Sequence, residues 1–296
     1  MYLQHFGLND RPFRPTADTP FYYPATGHEI ALARLRQALA LEESFAVLTG
    51  ETGLGKTLIL HRLIAQAEED HQILFVTNTH FGTAAGLYQT LLFDLGLPFE
   101  GRGEHELRLL TTQSILKTFQ EGRRVLLVID EGQHLTPHLL EELRLLSNLE
   151  TAEGKVVQIV LAGLPMLAEM LRRPGLVALH QRIRTRIELS ALDRHESADY
   201  VAHQIRAVGG RPEQIFTEEA LEMLARACRG VPRLLNQAAE LAMQLAASGE
   251  VAVVDAEAVA EALHDLALPV ADIEEDSRTP EADARSRSPS ASRRSA

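Results

Sequence analysis

Gly50-Glu51-Thr52-Gly53-Leu54-Gly55-Lys56-Thr57 follows the apolar run Phe45-Ala46-Val47-Leu48 and precedes the helical pattern Leu58-Ile59-Leu60-His61-Arg62-Leu63-Ile64. Strand, glycine loop and helix in that order are the setting that the spacing G-x-x-x-x-G-K-[ST] requires. Glycines let the backbone curl until successive N–H groups point inward, at the positive end of the following helix dipole. Residues 50–57, with Leu58 opening the helix, form a candidate cradle for a triphosphate such as that of ATP. Lys56 would reach the β- and γ-phosphates, and the Thr57 hydroxyl would hold Mg2+. A chance glycine turn at a strand end leaves these fixed glycine, lysine and threonine positions unexplained.

A second strong apolar run, Arg124-Val125-Leu126-Leu127-Val128-Ile129, ends in Asp130-Glu131 about seventy residues beyond the loop. It reads as a fully buried parallel strand. Neighbouring residues at a strand end point to different sides, so Asp130 would face the metal while Glu131 polarises the attacking water. Acids commonly cap strands, and it is the pairing with the loop that gives these two their meaning.

The two motifs, with Asp130-Glu131-Gly132-Gln133-His134-Leu135, resemble the Walker A and Walker B segments of AAA+ ATPases, in particular the general secretion pathway ATPases of the GspA/ExeA type. Further stretches fit that group: Phe6-Gly7-Leu8, Pro12-Phe13, His28, Leu145 to Thr151, Val157 to Gly163, Gln181-Arg182-Ile183 and Gly230-Val231-Pro232-Arg233. The likeness runs from about residue 1 to about residue 268. It implies ATP hydrolysis with Mg2+, and a sheet of strand order 5-1-4-3-2 in which the acid-bearing strand does not neighbour the loop strand. It also implies self-association into a ring or filament.

The resemblance assigns three more residues. Arg233 takes the place of the sensor 2 arginine, reaching from a helical lid to the γ-phosphate; a cation at a helix start is otherwise unfavourable, because the dipole is positive there. Arg182 takes the place of the arginine finger that acts on nucleotide held by a neighbouring subunit. Arg184 and Arg186 are close enough to be the finger instead. His28 would lie against the adenine, with Phe21 to Tyr23 adding stacking surface, or these aromatics simply pin the N-terminal segment to the core. The chain departs from the group at the end of the fourth strand, where Gly163-Leu164-Pro165 stands in place of Gly-Gln-Pro. Leucine makes no hydrogen bond. Either Gln158 or Asn148 compensates, or hydrolysis is slowed, or the position was never a sensor.

At 296 residues the length favours about two domains. The alternation predicts strands at about 45–49, 72–77, 124–130, 156–162 and 184–190. Helices are expected from about 28 and over 56–69, 83–95, 105–120, 137–149 and 165–172. That order implies an α/β fold with a parallel sheet covered on both faces. Four helical stripes then follow, Ser197–Val208, Glu218–Cys228, Val231–Ala247 and Asp255–His264, and suggest a small helical lid. The division expected is an extended N-terminal strap over 1–27, an ATPase core over 28–192, a lid over 193–268 and a disordered tail over 269–296. The tail is rich in Ser, Arg, Asp, Glu and Pro, which cannot bury enough surface to order itself.

The net charge of −12 counts against bulk electrostatic coating of nucleic acid. Arg172, Arg173, Arg182, Arg184 and Arg186 nevertheless cluster, either as a polynucleotide-facing stripe, a subunit edge or solvated helix ends. No apolar run approaches the roughly 20 residues needed to span a bilayer, and the start lacks a secretory signal. A cytoplasmic protein is expected, peripheral to the inner membrane at most through a protein partner. The single cysteine, Cys228, reads as a buried inert thiol. His134 and His138 fall on either side of the helix start at Thr136-Pro137, which disfavours a shared zinc site. Three functions remain in competition: an assembling motor that remodels a partner in secretion or envelope-complex assembly, a DNA-binding regulator of the transposition type, and a nucleotide-locked scaffold.

Overall fold

The computed structural model describes residues 2–14, 21–152 and 154–269; the tail expected beyond residue 269 lies outside the described residues. Five strands, β1 Phe45–Gly50, β2 His71–Val76, β3 Arg124–Ile129, β4 Val157–Gly163 and β5 Ile183–Leu189, form one sheet. All are parallel, in the order β2-β3-β4-β1-β5, which read from the other edge is the expected 5-1-4-3-2.

Burial follows position in the sheet. β1 and β4 are buried at every residue, whereas the edge strand β5 alternates. Parallel strands with helices on both faces read as continuous apolar runs for this reason. Side chains alternate between the faces. Phe45 and Val47 pack with Leu127, Ile129 and Leu161 against α3 Ala84–Asp94, α4 Glu104–Gln120, α5 Pro137–Leu146 and α6 Pro165–Leu171. Ala46 and Leu48 pack with Leu126, Val128 and Val160 against α1 Thr26–Ala40 and α2 Lys56–Ala67 on the opposite face.

The helix starts carry local signals. Thr83 and Thr136 each accept a backbone N–H in the first turn of α3 and α5, and Pro137 opens α5 with the fixed φ that the first helical position favours. The expected helix over 137–149 stops early, at Leu146. Ser147 there turns its hydroxyl back to the Arg144 carbonyl, and a short hairpin, Glu150–Thr151 with Gly154–Lys155, leads into β4.

Among the described residues, four helices of ten residues or more follow the sheet, α7 Arg194–Ala207, α8 Glu218–Ala227, α9 Pro232–Ser248 and α10 Ala256–Asp265, with one short turn of helix at Pro212–Ile215. Their stripes meet in a separate core of Val201, Leu224, Leu235, Met243, Val259 and Leu263. Cys228 is buried in it, and desolvation pushes its thiol up to about 12.

The N-terminal strap differs from an extended segment. Tyr2–His5 form a helical turn, and Leu8 and Phe13 pack into the lid core rather than against the sheet. Arg11 ties the strap to α9, its Nη2 lying 2.6 Å from Glu240 Oε1, and Tyr2 donates to the same oxygen at 3.1 Å. Apolar anchors and a carboxylate on α9 thus hold a stretch whose prolines had suggested only extension. Among the described residues no helix is long and apolar enough to cross a membrane.

Candidate active site

The loop between β1 and α2 takes its shape from Gly53 and Gly55, whose φ values of +84° and +92° lie in the left-handed region. A side chain there is strained, and only glycine enters without cost. Gly55 occupies the cap position of α2, so the first amides of that helix have no intrahelical partner and face outward from its positive end. Lys56 is buried, and its Nζ donates to the carbonyls of Gly50 at 2.8 Å and Glu51 at 2.9 Å. Desolvation lowers its pKa, while the charges of Glu131, Asp130 and Glu51 act the other way.

β4 lies between β1 and β3, so the loop and the acidic pair flank the top of β4. Thr57 Oγ1 donates to Asp130 Oδ2 at 2.5 Å, bringing together the two candidate metal ligands. A hydroxyl beside a carboxylate is a set of hard oxygen donors, and it fits Mg2+. Asp130 Oδ1 accepts the Glu131 N–H at 2.8 Å, which leaves Asp130 buried but satisfied. Glu131 itself has φ +53°, a left-handed step, and its carboxylate meets Gln133 while that of Asp130 meets Thr57. Thr79 donates to the Glu131 carbonyl at 3.1 Å and steadies the step.

Lys56, Thr57, Glu131 and Arg233 line one cavity of about 580 Å³, together with Arg11 and Tyr200. Arg233 stands in the first turn of α9, and its N–H donates to the Gly53 carbonyl at 3.3 Å. A Cβ on Gly53 would lie 2.9 Å from Arg233 Cβ, so the lid helix rests directly on the loop.

His28 adjoins a smaller cavity of about 70 Å³, lined also by Phe21, Tyr23, Leu58, Tyr200 and Asn236. Leu58, Tyr200 and Asn236 line both spaces. His28 Nε2 lies 2.7 Å from the Leu54 carbonyl, which can only accept, so Nε2 carries the proton and Nδ1 is left as an acceptor. Nδ1 is buried and has no partner among the described residues, and desolvation lowers the pKa of the ring.

Arg182 is not brought to this cavity. It precedes β5, whose first residue pairs with Phe45 at the entry of β1, the end of the sheet opposite the loop. Its Nη1 lies 3.4 Å from Ser147 Oγ. Arg186 instead donates to the His180 carbonyl at 2.7 Å and is tied to its own chain, and Arg184 is exposed.

Neither residue weighed as a substitute for the missing glutamine at 164 is near. Gln158 is buried at the entry of β4, donating to the Leu39 carbonyl at 3.0 Å, and its Oε1 lies 3.1 Å from His71 Nε2. Asn148 is exposed beyond the C-terminus of α5. The side chain that does reach the top of β4 is Gln133. Its Oε1 accepts the Leu164 N–H at 3.0 Å, and its Nε2 donates to Glu131 Oε2 at 2.5 Å. His134, rather than pairing with His138, stacks on His80 with ring centroids 4.6 Å apart. Arg11, Arg14, Tyr200, Asn236, Gln237 and Glu240 line the larger cavity without having been expected there from the sequence. The run Arg11-Pro12-Phe13-Arg14 carried a signal for two of them, a pair of cations around an aromatic anchor.

Residues 40–171 match the family model described as an AAA domain. The general secretion pathway protein A of Aeromonas hydrophila is 38% identical over 237 residues, 80% of this chain and 43% of that protein. The ATP-dependent target DNA activator B of Escherichia phage Mu is 28% identical over 210 residues, 70% of this chain and 62% of that protein. The chain thus spans less than two thirds of the length of either curated relative. Among solved structures, Cdc6p from Pyrobaculum aerophilum superposes with a TM-score of 0.69 at 18% identity, over 87% of this chain and 71% of that one. That likeness concerns the fold, a P-loop α/β sheet followed by helices. Residues 40–171 thus match an AAA domain, in a chain with a P-loop α/β fold that resembles the secretion pathway protein A.

Proposed function

We propose that this chain binds ATP with Mg2+ and hydrolyses it as an assembled ring or filament, to remodel a partner in secretion or envelope-complex assembly. The observation that carries the reading is the Thr57–Asp130 hydrogen bond, which joins the glycine loop to the acidic strand end beside a cavity lined by Lys56 and Glu131. When bound, Mg2+ neutralises charge on the phosphate oxygens. The chain's own residues do the rest. The amides of residues 53–57 and the Lys56 ammonium hold the phosphates, Thr57 and Asp130 supply the metal's oxygen ligands, and Glu131 orients the attacking water. Arg233 adds positive charge from the lid, so closure of α9 on the loop and the state of the phosphates are linked. His28, with Phe21, Tyr23 and Tyr200, forms the adenine end, where Nδ1 of His28 accepts from an amino group.

Arg182 acts in trans. It lies at the far end of β5 from its own loop, so it meets nucleotide only across a subunit boundary. Turnover per chain should then rise with protein concentration. Mixing Arg182→Ala with Lys56→Ala chains, each inactive alone, should restore activity, because the first keeps an intact loop and the second an intact finger. A finger contributes about 10³–10⁵ in rate. No recovery at any mixing ratio, with mixed assembly verified, would remove Arg182 from this role.

The secretion pathway reading rests on the 38% identity to the Aeromonas protein, and it places the chain in the cytoplasm, peripheral to the inner membrane through a partner. A second reading, as a DNA-binding regulator, is favoured by the likeness to the phage Mu activator and by the exposed Arg172, Arg173 and Arg184. A salt series separates them. Stimulation of turnover by duplex DNA that fades steeply with salt supports the second reading, and indifference to DNA supports the first.

A further inference from the structure

The Gln133 side chain links the chain just beyond β4 to the Glu131 carboxylate. Its Oε1 accepts from the Leu164 backbone at the end of β4, and its Nε2 donates to the Glu131 carboxylate. The amide orientation is fixed by its partners, since a backbone N–H only donates and a carboxylate only accepts. The same Nε2 lies 3.3 Å from His134 Nε2, so the amino group has a second neighbour besides the acid.

The surroundings are shaped to admit this side chain. A Cβ on Gly163 would lie 2.6 Å from Gln133 Oε1, so a larger residue there would displace the amide. Gly132, one step from Glu131, would place a Cβ 3.1 Å from the Ala162 carbonyl, which shows how closely this turn sits on β4. Glu131 is otherwise exposed, and its other hydrogen bonds among the described residues run through its backbone, to Thr79, Asp130 and His134. A free carboxylate on an exposed turn samples several rotamers, and the bond from Gln133 selects one.

We infer that Gln133 is the positioning residue for Glu131: it anchors that carboxylate to the end of β4, where Leu164 presents no polar side chain. The inference rests on the hydrolytic reading above and deepens it. It also explains how the chain accommodates leucine at 164, because the strand end engages the acid through its backbone amide and Gln133 instead of through its own side chain.

The test compares Gln133→Ala, Gln133→Glu and Glu131→Gln with the native chain, by steady-state ATP turnover, equilibrium nucleotide binding, thermal midpoint and crystal structure. Misplacement of a catalytic group by about 1 Å can cost about 100-fold. Gln133→Ala should lower kcat by about 10- to 100-fold with nucleotide affinity changed by less than about threefold. Gln133→Glu is the more telling variant. It can still accept from Leu164 but sets a like charge against Glu131, so it should lose at least as much turnover as alanine. In crystals of the alanine variant the Glu131 side chain should leave its native rotamer.

Turnover near the native level in either Gln133 variant, with Glu131→Gln inactive, would overturn the inference. So would affinity or thermal stability falling in step with turnover, which is the mark of a merely structural residue. If Glu131→Gln itself turns over normally, the hydrolytic reading fails instead, and Gln133 loses its role with it.

Discussion

Lys56→Ala should bind ATP about 100-fold or more weakly than the native chain. Hydrogen bonds to charged groups contribute about 1.5–3 kcal/mol each, and a lysine that reaches two phosphates makes more than one; about 2.7 kcal/mol corresponds to 100-fold. The structure shows why no neighbour substitutes. Arg233, Arg11 and Arg14 line the same cavity, but Arg233 approaches from the lid, Arg11 is engaged by Glu240 and Arg14 by Asp10. Only Lys56 rises from within the loop, where the Gly50 and Glu51 carbonyls fix its ammonium. The same burial gives a pH signature. Desolvation holds the Lys56 pKa below that of a free lysine, so its charge is present below that lowered pKa and is lost as pH rises through it. Affinity in the native chain should therefore decline on the alkaline side, and the alanine variant should lack that decline. Isothermal titration across a pH series measures both. Near-native affinity in Lys56→Ala would overturn the loop assignment.

Glu131→Gln should bind ATP as tightly as the native chain and turn it over about 10²–10⁴-fold more slowly, the usual contribution of a positioned general base. The substitution keeps shape and removes the charge that draws the proton of the attacking water. Asp130 does not replace it, because its carboxylate is turned to Thr57 and the metal position, and its other oxygen holds the Glu131 N–H. Trapped ATP should also hold the lid against the loop through Arg233, so the variant is expected to assemble more persistently than the native chain. Single-turnover chemistry followed by product analysis separates slow cleavage from slow release. Steady-state turnover comparable to the native chain would remove Glu131 from the catalytic role.

The parts legible in the sequence are those whose chemistry is local. The loop announces itself because four of eight consecutive residues are fixed in type and spacing, and the acids because they end a run too apolar to lie anywhere but inside. β1, expected at about 45–49, occupies Phe45–Gly50 for the same reason. Gln133 lies in the same short motif as Glu131, yet its partner is the backbone amide of Leu164 just beyond β4, and only the sheet order brings the two together. Gln158 fails as a substitute on simple length. It stands five residues before Gly163, and at a rise of about 3.3 Å per residue that is roughly 16 Å from the strand end. The course of the strap is not legible in its prolines, which report local φ, because it is set by Phe13 in the lid core and by Arg11 on Glu240, 229 residues away in sequence.

The central claim is that residues 50–57, with Asp130, hold a magnesium triphosphate beside Glu131. A crystal structure of the chain with Mg2+ and a non-hydrolysable ATP analogue tests it most directly. The account predicts the β- and γ-phosphates within hydrogen-bonding distance of Lys56 Nζ and the loop amides, the metal on Thr57 Oγ1, and the adenine beside His28. Nucleotide bound elsewhere, or a loop that excludes it at saturating concentration, would contradict the account.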